Sequence, residues 1–488
     1  MKVWLSFIVL SISTFLLKGQ TFNDALFFGQ DNLNGNARYV SMGGAFGALG
    51  GNSSAVTKNA AGIGVYRKGE LSLSYQISNQ GYNTVHYENS INSTKTEGQV
   101  PNVNVVFSNK IEESDWKNYN LMFSYNRRNN FDFSYSAKGI NQESSKLDLY
   151  LRDIIEADIY VDEIYDYFPF GAALAWDVLL IDTANGDYFH ALENYGHYQE
   201  YTANVSGGVN DFYIGMGTNY NDKLYLGATI GITSINYNKK STYSETPLEG
   251  NSLTYLESWE EEERIEISGR GLNLRLGIIY WFNEKTRMGI GFNSGTSYTL
   301  SESYEKNILA NWTDIENTTS KSPIGFNQYE FISPYSIVFS VARVDKYIGS
   351  LDFDLELITY GRMRYGNVAG YPIDFKVPNT KFDENAAVSM NMSLGGELLL
   401  GPVILRGGAR IMGNPEKGKE FFNRYALSGG LGYRIKRTSF DLAYSFFDSE
   451  PTNTNLHYAY NIDLEPTRGA FTGQQIMFTW AFKFSGVK

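Results

Sequence analysis

The sequence predicts an all-β protein, a fourteen-stranded antiparallel β-barrel that crosses a membrane. Two patterns support this: segments of alternating apolar and polar residues recur along the chain, and the connections between them alternate between short and long. The body of the chain contains no run of about 18 apolar residues, which a transmembrane helix requires. The mean hydropathy of −0.31 agrees with a barrel, because alternating strands keep the average hydropathy low.

The alternation gives each predicted strand one apolar face. Residues 71–77 place apolar side chains on one face and polar ones on the other, and the same period recurs in 119–125, 224–232, 272–278, 351–357 and 440–446. Period two over so many segments indicates β-strands. The last strand, 475–484, ends in the aromatic residue Phe484, which resembles the assembly signal of outer-membrane barrels. We therefore expect the barrel-assembly machinery to be a partner during biogenesis.

The lengths of the connections distinguish a barrel from a β-sandwich. The fourteen predicted strands are about 70–88, 99–109, 118–136, 206–220, 223–240, 264–282, 286–304, 329–344, 348–363, 386–400, 403–413, 423–435, 438–448 and 473–484. Every second connection is short, as in bacterial outer-membrane barrels, whose strand number is even. A sandwich has no reason to sort its loops by length. The longest external loop, 137–205, is predicted to be partly helical, because Leu147, Leu151 and Ile154 recur at helical spacing.

The N-terminus predicts export. Residues 1–19 combine a basic start, Met1-Lys2, with an apolar stretch that is too short to span a membrane. This pattern is typical of a cleaved signal peptide. The alternative is an N-terminal anchor helix. With the barrel pattern that follows, the signal peptide indicates the bacterial cell outer membrane as the location, with outer-membrane lipid around the strands.

Composition argues against several functions. The net charge of −12 disfavours a nucleic-acid partner, and the absence of Cys removes disulfides and Cys-ligated metals. No serine-hydrolase elbow, P-loop or HExxH motif is present, so we expect no enzyme activity, no cofactor and no metal site. Of the four histidines, His190 and His197 lie seven residues apart without a metal-ligand signature. Haem ligation by either one stays open as an alternative.

The segment before the first strand carries a family resemblance. A glycine-rich stretch, 37–51, leads to Asn59-Ala60-Ala61-Gly62. This pattern resembles the start of the long-chain fatty acid transporter family of outer-membrane proteins, the FadL/TodX group, and in particular its Bacteroidetes branch, sometimes labelled hemin receptor. The resemblance implies a fourteen-stranded barrel, 69–488, whose lumen is plugged by an N-terminal hatch, 20–68. The hatch motif of the family falls on Asn59, Ala60, Ala61 and Gly62, with Ala60 in place of its proline.

Two groups of side chains are candidates for ligand contact. The first is an external apolar site in the long loop, formed by Phe168, Phe170, Leu174, Trp176 and Leu179. The alternative for this group is packing of the loop helices against the barrel rim. The second comprises charges that alternation points into the lumen, namely Arg275, Arg406, Arg410, Asp352 and Asp354. These charges either pair with one another or bind a carboxylate ligand. The run Glu260 to Glu263 is expected in an external loop.

These observations favour a passive channel for hydrophobic small molecules, with long-chain fatty acids the leading ligand class by resemblance. The channel would act as a monomer, and a shift of the hatch would open a lateral or a periplasmic path. One alternative is a structural or surface-interaction barrel with a closed lumen, and another is a haem-binding receptor. An outer-membrane hydrolase is disfavoured by the missing Ser-His constellation.

Overall fold

The computed structural model describes residues 22–192, 195–248, 255–454 and 467–484. The predicted signal peptide, 1–19, and His457 lie outside these residues. The helices are α1 Phe22–Gly29, α2 Ala37–Ser41, α3 Lys146–Ala157, α4 Ile164–Tyr167, α5 Ala172–Asp177 and α6 Lys376–Asn385. Within the described ranges, no helix is long and apolar enough to cross a membrane.

The strands dominate the described part of the chain. They are β1 Gly69–His86, β2 Asn89–Lys110, β3 Trp116–Asn130, β4 Phe133–Asn141, β5 Ile181–Ala184, β6 Asp187–His190, β7 His197–Tyr220, β8 Leu224–Pro247, β9 Leu256–Trp281, β10 Thr286–Asn293, β11 Ser297–Trp312, β12 Thr318–Lys321, β13 Gly325–Ile332, β14 Ser336–Asp345, β15 Gly349–Thr359, β16 Arg364–Asn367, β17 Val388–Leu400, β18 Val403–Gly413, β19 Phe422–Ile435, β20 Thr438–Ser449, β21 Thr452–Thr454 and β22 Thr467–Phe484.

The sheet closes into a barrel because its first strand pairs with its last. Strand β1 pairs antiparallel with β2 on one side and with β22 on the other, where Leu73 lies opposite Trp480. Fourteen strand positions form the wall, and four of them consist of two segments each: β3 with β4, β10 with β11, β13 with β14, and β15 with β16. The predicted fourteen-stranded antiparallel barrel is therefore confirmed.

The alternation along β1 shows why the sequence forms this wall. Ser74 is 1% exposed and faces the lumen, whereas the neighbouring Tyr75 is 51% exposed and faces outward. The last strand repeats the pattern, with Ile476 and Phe478 exposed and Met477 buried. Pairing of the first strand with the last closes the sheet on itself, and the apolar outer band suits contact with lipid.

The connections differ at the two ends of the barrel. One end, called here the turn end, carries the short connections 111–115, 221–223, 282–285, 346–348, 401–402 and 436–437. The opposite end, called the loop end, carries the long ones, except that β1 and β2 are joined by the two-residue turn 87–88, because residues 89–98, predicted as a long connection, extend β2. Strands β7, β8 and β9 are 24 to 26 residues long, far more than the 9–11 or so that cross a bilayer. They continue past the membrane at the loop end, and Glu260 to Glu263 lie in β9 rather than in a loop.

Several predicted strands are interrupted. The segment 118–136 breaks at 131–132, 286–304 breaks at 294–296, and 329–344 breaks at 333–335. Gly295 adopts a φ of +74° at the second break. Pro334 at the third has no N–H to continue the ladder. At each break the inward-facing positions change parity, from even to odd between β3 and β4, and from odd to even between β10 and β11 and between β13 and β14. A prediction that assumes one unbroken period therefore misses the breaks.

The long loop folds into an external cap, defined here as residues 142–192. Helix α3 begins with a capping box in which Ser145 Oγ accepts a hydrogen bond from Leu147 N at 3.1 Å and Asp148 accepts one from Ser145 N at 2.7 Å. Its apolar face, including Leu147 and Ile154, packs into a core that also contains Trp259 of the wall. The helical prediction for this loop is confirmed by α3.

A buried carboxylate joins the cap to the barrel. Glu245 of β8 accepts hydrogen bonds from Ser145 Oγ, from Lys146 N at 2.9 Å and from Trp259 Nε1 at 3.0 Å. Glu261 of β9 binds Lys146 Nζ at 2.8 Å. Since buried charges are stable only when they are paired, these contacts fix the start of α3 over the barrel mouth.

Ser145→Ala removes both the N-cap hydrogen bond of α3 and one donor to Glu245. We expect the external cap to lose about 1 kcal/mol of local stability. This loss should be seen as faster amide hydrogen exchange across 146–157, while β1 and β22 exchange at unchanged rates. The exposed Gln142→Ala serves as the matched control. Equal exchange in the Ser145→Ala variant and the parent protein would contradict this assignment.

Candidate functional site

The N-terminal segment, residues 22–68, lies inside the barrel and is called the hatch below. It contains α1, α2 and two 3₁₀ turns, Ser54–Thr57 and Ala60–Val65, and most of its residues are buried. Tight turns bring its backbone against the wall, with Gly43 at a φ of +62° and Gly50 at +63°. An L side chain is strained at such angles, which explains part of the glycine content of 37–51.

The wall meets the hatch through inward-facing glycines. They are Gly217, Gly227, Gly277, Gly289, Gly291, Gly395, Gly408 and Gly430, and each would bring an added Cβ against hatch atoms. A Cβ at Gly227 would lie 2.1 Å from the Ala60 carbonyl oxygen, and one at Gly291 would lie 2.0 Å from the Lys58 carbonyl oxygen. Close approach of two backbones is a specific use of strand glycine. The wall is therefore shaped to receive the hatch.

Asn59 of the predicted hatch motif connects three parts of the structure. Its Oδ1 accepts a hydrogen bond from Ala61 N at 3.0 Å and so caps the turn Ala60–Val65. Its Nδ2 donates to Gly47 O at 2.8 Å and to Ile278 O of β9 at 3.0 Å. Ala60, Ala61 and Gly62 are buried behind it. The motif thus positions the hatch against the wall.

Two of the predicted lumen charges bind the hatch backbone. Asp354 of β15 accepts hydrogen bonds from Phe46 N at 3.0 Å and from Gly47 N at 3.1 Å. Asp352 accepts weaker ones from Ala48 N and Leu49 N at 3.4 and 3.3 Å. Hydrogen bonds to an ionised acceptor are stronger than neutral ones. Strand β15 therefore holds four consecutive residues of the hatch.

The predicted arginines join ion-pair groups that also include the hatch. Arg406 binds Glu397 at 3.2 Å and Asp441 at 2.6 Å, and Glu397 also binds Arg38 of α2 at 2.8 Å. In a second group, Glu356 binds Lys58 of the hatch at 2.5 Å and Arg410 at 3.6 Å. The lower lumen is therefore filled by the hatch and by charges that pair with it and with one another.

Arg275, the remaining predicted lumen charge, lies above this region. Its guanidinium stacks on Tyr213 and lies 3.9 Å from Asp211, and among the described residues its Nη1 has no hydrogen-bond partner. With Arg128 and Asp31 it lines a polar cavity of about 40 Å³. A cavity of this size holds a few water molecules, on the order of three. A cationic group thus faces a small wet cavity in mid-lumen.

Above the polar region the lumen becomes an apolar chamber, lined mainly by Phe131, Val209, Ile235, Tyr298, Phe331 and Tyr365. These residues come one or two at a time from different strands, and α6 adds Phe382. Helix α1 fills the chamber with Ala25, Leu26 and Phe28. Sequence reasoning missed the chamber because no single segment contains it.

The wall has a side opening next to this chamber, between residues 89–101 of β2 and the strand β4. Strand β2 pairs with β1 along its whole length, but β3 pairs with β2 only over Asn102–Lys110. Beyond that level β4 pairs with β7 alone in the described structure. The strand position formed by β3 and β4 therefore separates from β2 towards the loop end.

A kink at Phe131-Asp132 produces the side opening. Arg127 binds Asp132 at 3.0 Å and donates to Gly207 O at 2.6 Å. Gly207 of β7 has a φ of +121°, and a Cβ there would lie 2.1 Å from Asn236 O. The kink is therefore held by the salt bridge and follows a β-bulge at Arg127–Asn129 of β3, and the neighbouring strand β7 places a glycine with positive φ beside it.

Side chains, rather than backbone ladder bonds, cross the side opening in the described structure, and one of them is Thr84 of β1, whose Oγ1 donates to Ser136 O. Ser93 Oγ and Ser136 Oγ are 3.4 Å apart, and Lys95 Nζ donates to Val205 O at 3.3 Å and lies 3.9 Å from Asp132.

Aromatic rings lie behind these groups. Phe471 lies 4.4 Å from Tyr82 and 4.9 Å from Phe133, between ring centroids, and Tyr135 continues the group. Phe133 also belongs to the core of the chamber. Apolar surface is therefore continuous from the chamber to the side opening.

The predicted external apolar residues do not form one open groove. Leu174 is 3% exposed, in the core of the cap, because α5 turns this face towards α3. Phe168 and Trp176 are half-buried against the same core, and Phe170 packs on Tyr304 with ring centroids 4.7 Å apart. Only Leu179 is well exposed, at 51%. Packing of the cap accounts for most of this group.

The two histidines considered for haem have carboxylate neighbours. His190 Nε2 lies 2.9 Å from Asp148, and the fully buried His197 lies 3.4 Å from Glu245. Burial acts to raise the pKa of the Asp148 carboxyl, but hydrogen bonds from His190, from Ser145 N and from Tyr195 outweigh it and lower the pKa. The described residues include no group of three or more His, Cys, Asp or Glu placed to hold a metal ion.

Solved structures share this architecture, although no family model and no curated protein matches the sequence. The Pseudomonas putida toluene transporter TodX superposes with a TM-score of 0.54 at 12% identity, over 93% of this chain and 100% of that one. A Pseudomonas aeruginosa FadL homologue gives 0.57 at 11% identity over 93% and 100%. The Ralstonia pickettii toluene transporter TbuX gives 0.52 at 13% identity over 93% and 99%.

These similarities define the class by its fold. The chain is a closed membrane-spanning barrel with the fold of FadL/TodX-type outer-membrane channels, which confirms the resemblance predicted from the sequence. The proteins that share the fold are transport channels for hydrophobic small molecules rather than enzymes. In an outer-membrane barrel the short turns face the periplasm and the long loops face outward. The hatch therefore closes the periplasmic side, and the cap lies outside.

Gly227→Val tests the docking of the hatch. We expect the added methyl groups to collide with Ala60 O and to cost about 1–3 kcal/mol, so that the hatch leaves β8. Because the chain has no cysteine, a single Thr57→Cys reports this as faster maleimide labelling in a folded barrel. Gly407→Val is the matched control, since a Cβ there meets no atom closer than 4.0 Å. Equal labelling of the two variants would show that the glycine contacts do not hold the hatch.

Proposed function

We propose that this protein is a passive outer-membrane channel for hydrophobic small molecules, which leave the lumen through the side opening between β2 and β4. The observation that carries the proposal is the continuous apolar surface from the chamber to that opening, formed by Phe133, Phe471 and Tyr82. The periplasmic end is filled by the hatch and its ion pairs, whereas the side opening is crossed by side chains and, in the described structure, by no backbone pairing. An apolar solute that exits sideways enters the hydrocarbon of the bilayer without crossing water.

Movement of α1 is the conformational step that this route requires. The helix places Ala25, Leu26 and Phe28 in the chamber, so a ligand must displace it. The rest of the hatch is held by Asp354, Asn59 and the glycine contacts. We therefore propose that α1 moves while residues 41–65 stay docked.

A disulfide across the side opening tests the route. Ser93→Cys with Ser136→Cys places two thiols where the hydroxyls are 3.4 Å apart, in a chain without other cysteines. In liposomes that contain the oxidised variant, we expect uptake of labelled oleate to fall about tenfold or more and to return on reduction. The control pair Asn79→Cys with Thr96→Cys joins β1 to β2, whose side chains already bond at 2.7 Å, and does not cross the opening. Equal uptake before and after oxidation of the first pair would indicate exit through the hatch instead.

Long-chain fatty acids are the ligand class that we favour, because cationic side chains at the base of the chamber can bind an anionic head group. Arg128 donates to Tyr298 of the chamber at 2.6 Å, and Arg275 lines the polar cavity beside it. A carboxylate held there would leave its tail in the chamber. TodX and TbuX are toluene transporters, and toluene has no such head, so the two ligand classes can be separated experimentally.

Arg275→Met distinguishes ligands with a carboxylate head from ligands without one. A hydrogen bond to a charged group contributes about 1.5–3 kcal/mol, so we expect the affinity for oleate to fall about tenfold or more. The affinity for oleyl alcohol, which has the same tail without the charge, should stay within about twofold. Isothermal titration of the solubilised protein measures both. Equal losses for the two ligands would remove the carboxylate assignment but leave the channel proposal standing.

A closed structural barrel is the second candidate. The observation in its favour is the lower lumen, which is filled by hatch residues and ion pairs such as Lys58–Glu356. This candidate predicts no oleate uptake above protein-free liposomes for the reduced disulfide variant or for the parent protein.

A further inference from the structure

A second ligand-binding feature lies on the outer wall, at the periplasmic end of β18, β19, β20 and β22. It combines a basic turn with an apolar groove, neither of which the transport route uses. This feature depends on the placement of the barrel in an outer membrane but not on what the channel carries.

The β19–β20 turn is unusual in its charge. Its residues, Lys436 and Arg437, are both cationic and exposed, and no carboxylate accompanies them. The short turns 111–115, 221–223 and 282–285 contain the acids Glu112, Asp222 and Glu284, and in the turn 346–348 the cation Lys346 directly follows Asp345, the last residue of β14. The chain as a whole carries a net charge of −12, so a turn with two cations and no acid is unusual for this protein.

The two turn residues form a basic rim outside the barrel, and the cations next to them face the lumen. Lys483 N donates to Arg437 O at 2.7 Å, which places the end of β22 beside the turn, but Lys483 and Arg434 have the inward parity of their strands. Lys483 lies opposite Glu70 in the register. In the described part of the chain, neither Lys436 nor Arg437 forms an ion pair within 4.0 Å. The turn therefore keeps its charge available to an anion.

An apolar groove of about 310 Å³ begins just above the turn on the lipid-facing wall. Its lining includes Val403, Leu431, Tyr433, Phe440, Leu442 and Phe478. Val403 pairs with Tyr433 and Tyr433 with Phe440, so the groove runs across adjacent strands. The carboxylate beside it, Asp441, binds Arg406 in the lumen at 2.6 Å. Phe440 is three residues from Arg437, or about 10 Å along the strand.

Outward-facing glycines continue the groove towards the middle of the membrane. Gly429 lies two residues beyond Leu431 and pairs with Gly407, which pairs with Gly396. A Cβ at Gly407 would meet nothing closer than 4.0 Å, and one at Gly429 nothing closer than 3.8 Å. The wall therefore has a shallow trough here instead of side chains.

We propose that this surface binds one anionic glycerophospholipid of the periplasmic leaflet. Its phosphate contacts Lys436 and Arg437, and one acyl chain lies in the groove and trough. The charge of the turn is complementary to a phosphate, which an arginine can bind through two parallel hydrogen bonds. Clusters of basic residues at a membrane face attract anionic lipids in this way. A zwitterionic lipid would make the apolar contacts in the groove, but it lacks the net negative charge that the turn attracts.

Native mass spectrometry of the delipidated full-length protein tests the site, with added phosphatidylglycerol, phosphatidylcholine or lipid A. We expect one phosphatidylglycerol to be retained with about tenfold preference over phosphatidylcholine. Lys436→Gln with Arg437→Gln should abolish that preference. Lys223→Gln with Lys346→Gln, which removes the same charge from two other turns, should leave it unchanged.

Filling the trough provides a second variant that keeps all charges. Gly429→Leu fits the wall, because its Cβ makes only ordinary contacts, and it should weaken phosphatidylglycerol binding about tenfold. Three results would overturn the proposal: equal retention of both phospholipids by the parent protein, an equal loss in the control pair, or retention of lipid A in preference to phosphatidylglycerol.

Discussion

The close fit between the hatch backbone and the barrel wall is the constraint on which the rest of the structure depends. A barrel of fourteen strands encloses a lumen that side chains alone do not fill. Here inward glycines such as Gly227 and Gly291 let the hatch approach to backbone contact, and Asp352 and Asp354 satisfy its N–H groups. Without those acceptors the hatch turns would bury unpaired donors, which is costly. The periplasmic end is thereby closed by a docked polypeptide.

Because the hatch closes that end, the kink at Phe131-Asp132 matters for the exit route. With the axial path filled, the apolar chamber of the described structure reaches the membrane where β4 separates from β2. The separation costs backbone hydrogen bonds, and it persists because Arg127, Asp132 and Gly207 fix the bend. Such a cost at a wall position is consistent with a functional role. The cap and the basic rim occupy the two ends of the same barrel without interrupting this route.

The sequence predicted the architecture well because barrel strands are repetitive. Period two identified the outward face of β1 and β22, and loop lengths gave the strand number. The family resemblance placed Asn59 in the hatch motif, and in the structure its side chain bonds both the hatch and the wall. Alternation also placed Arg406, Arg410 and Asp354 in the lumen, but it could not show that their partners are Glu397, Glu356 and the hatch backbone. Such pairing depends on strand register and on a segment more than 300 residues away.

Other parts of the site were missed for different reasons. The chamber takes one or two residues from each of many strands, and the kink at Phe131 moves the inward face from even-numbered to odd-numbered residues, which one unbroken period does not describe. Inward glycines were visible on the polar faces of β8 and β9, yet their purpose requires knowledge of what they touch. Leu174 was expected at a surface because its segment is apolar. A high frequency of apolar residues does not distinguish a binding surface from the core of the cap, and in this structure Leu174 belongs to the core.

The central claim is that ligand displaces α1 from the chamber while the remaining hatch stays docked. A crystal structure with a brominated fatty acid tests it directly, through the anomalous signal of bromine. The account predicts a peak between Phe131 and Tyr298 or at the side opening, with α1 displaced and residues 41–65 unmoved. A bromine peak along a path through the hatch, with the contacts of Asn59 and Asp354 broken, would contradict it.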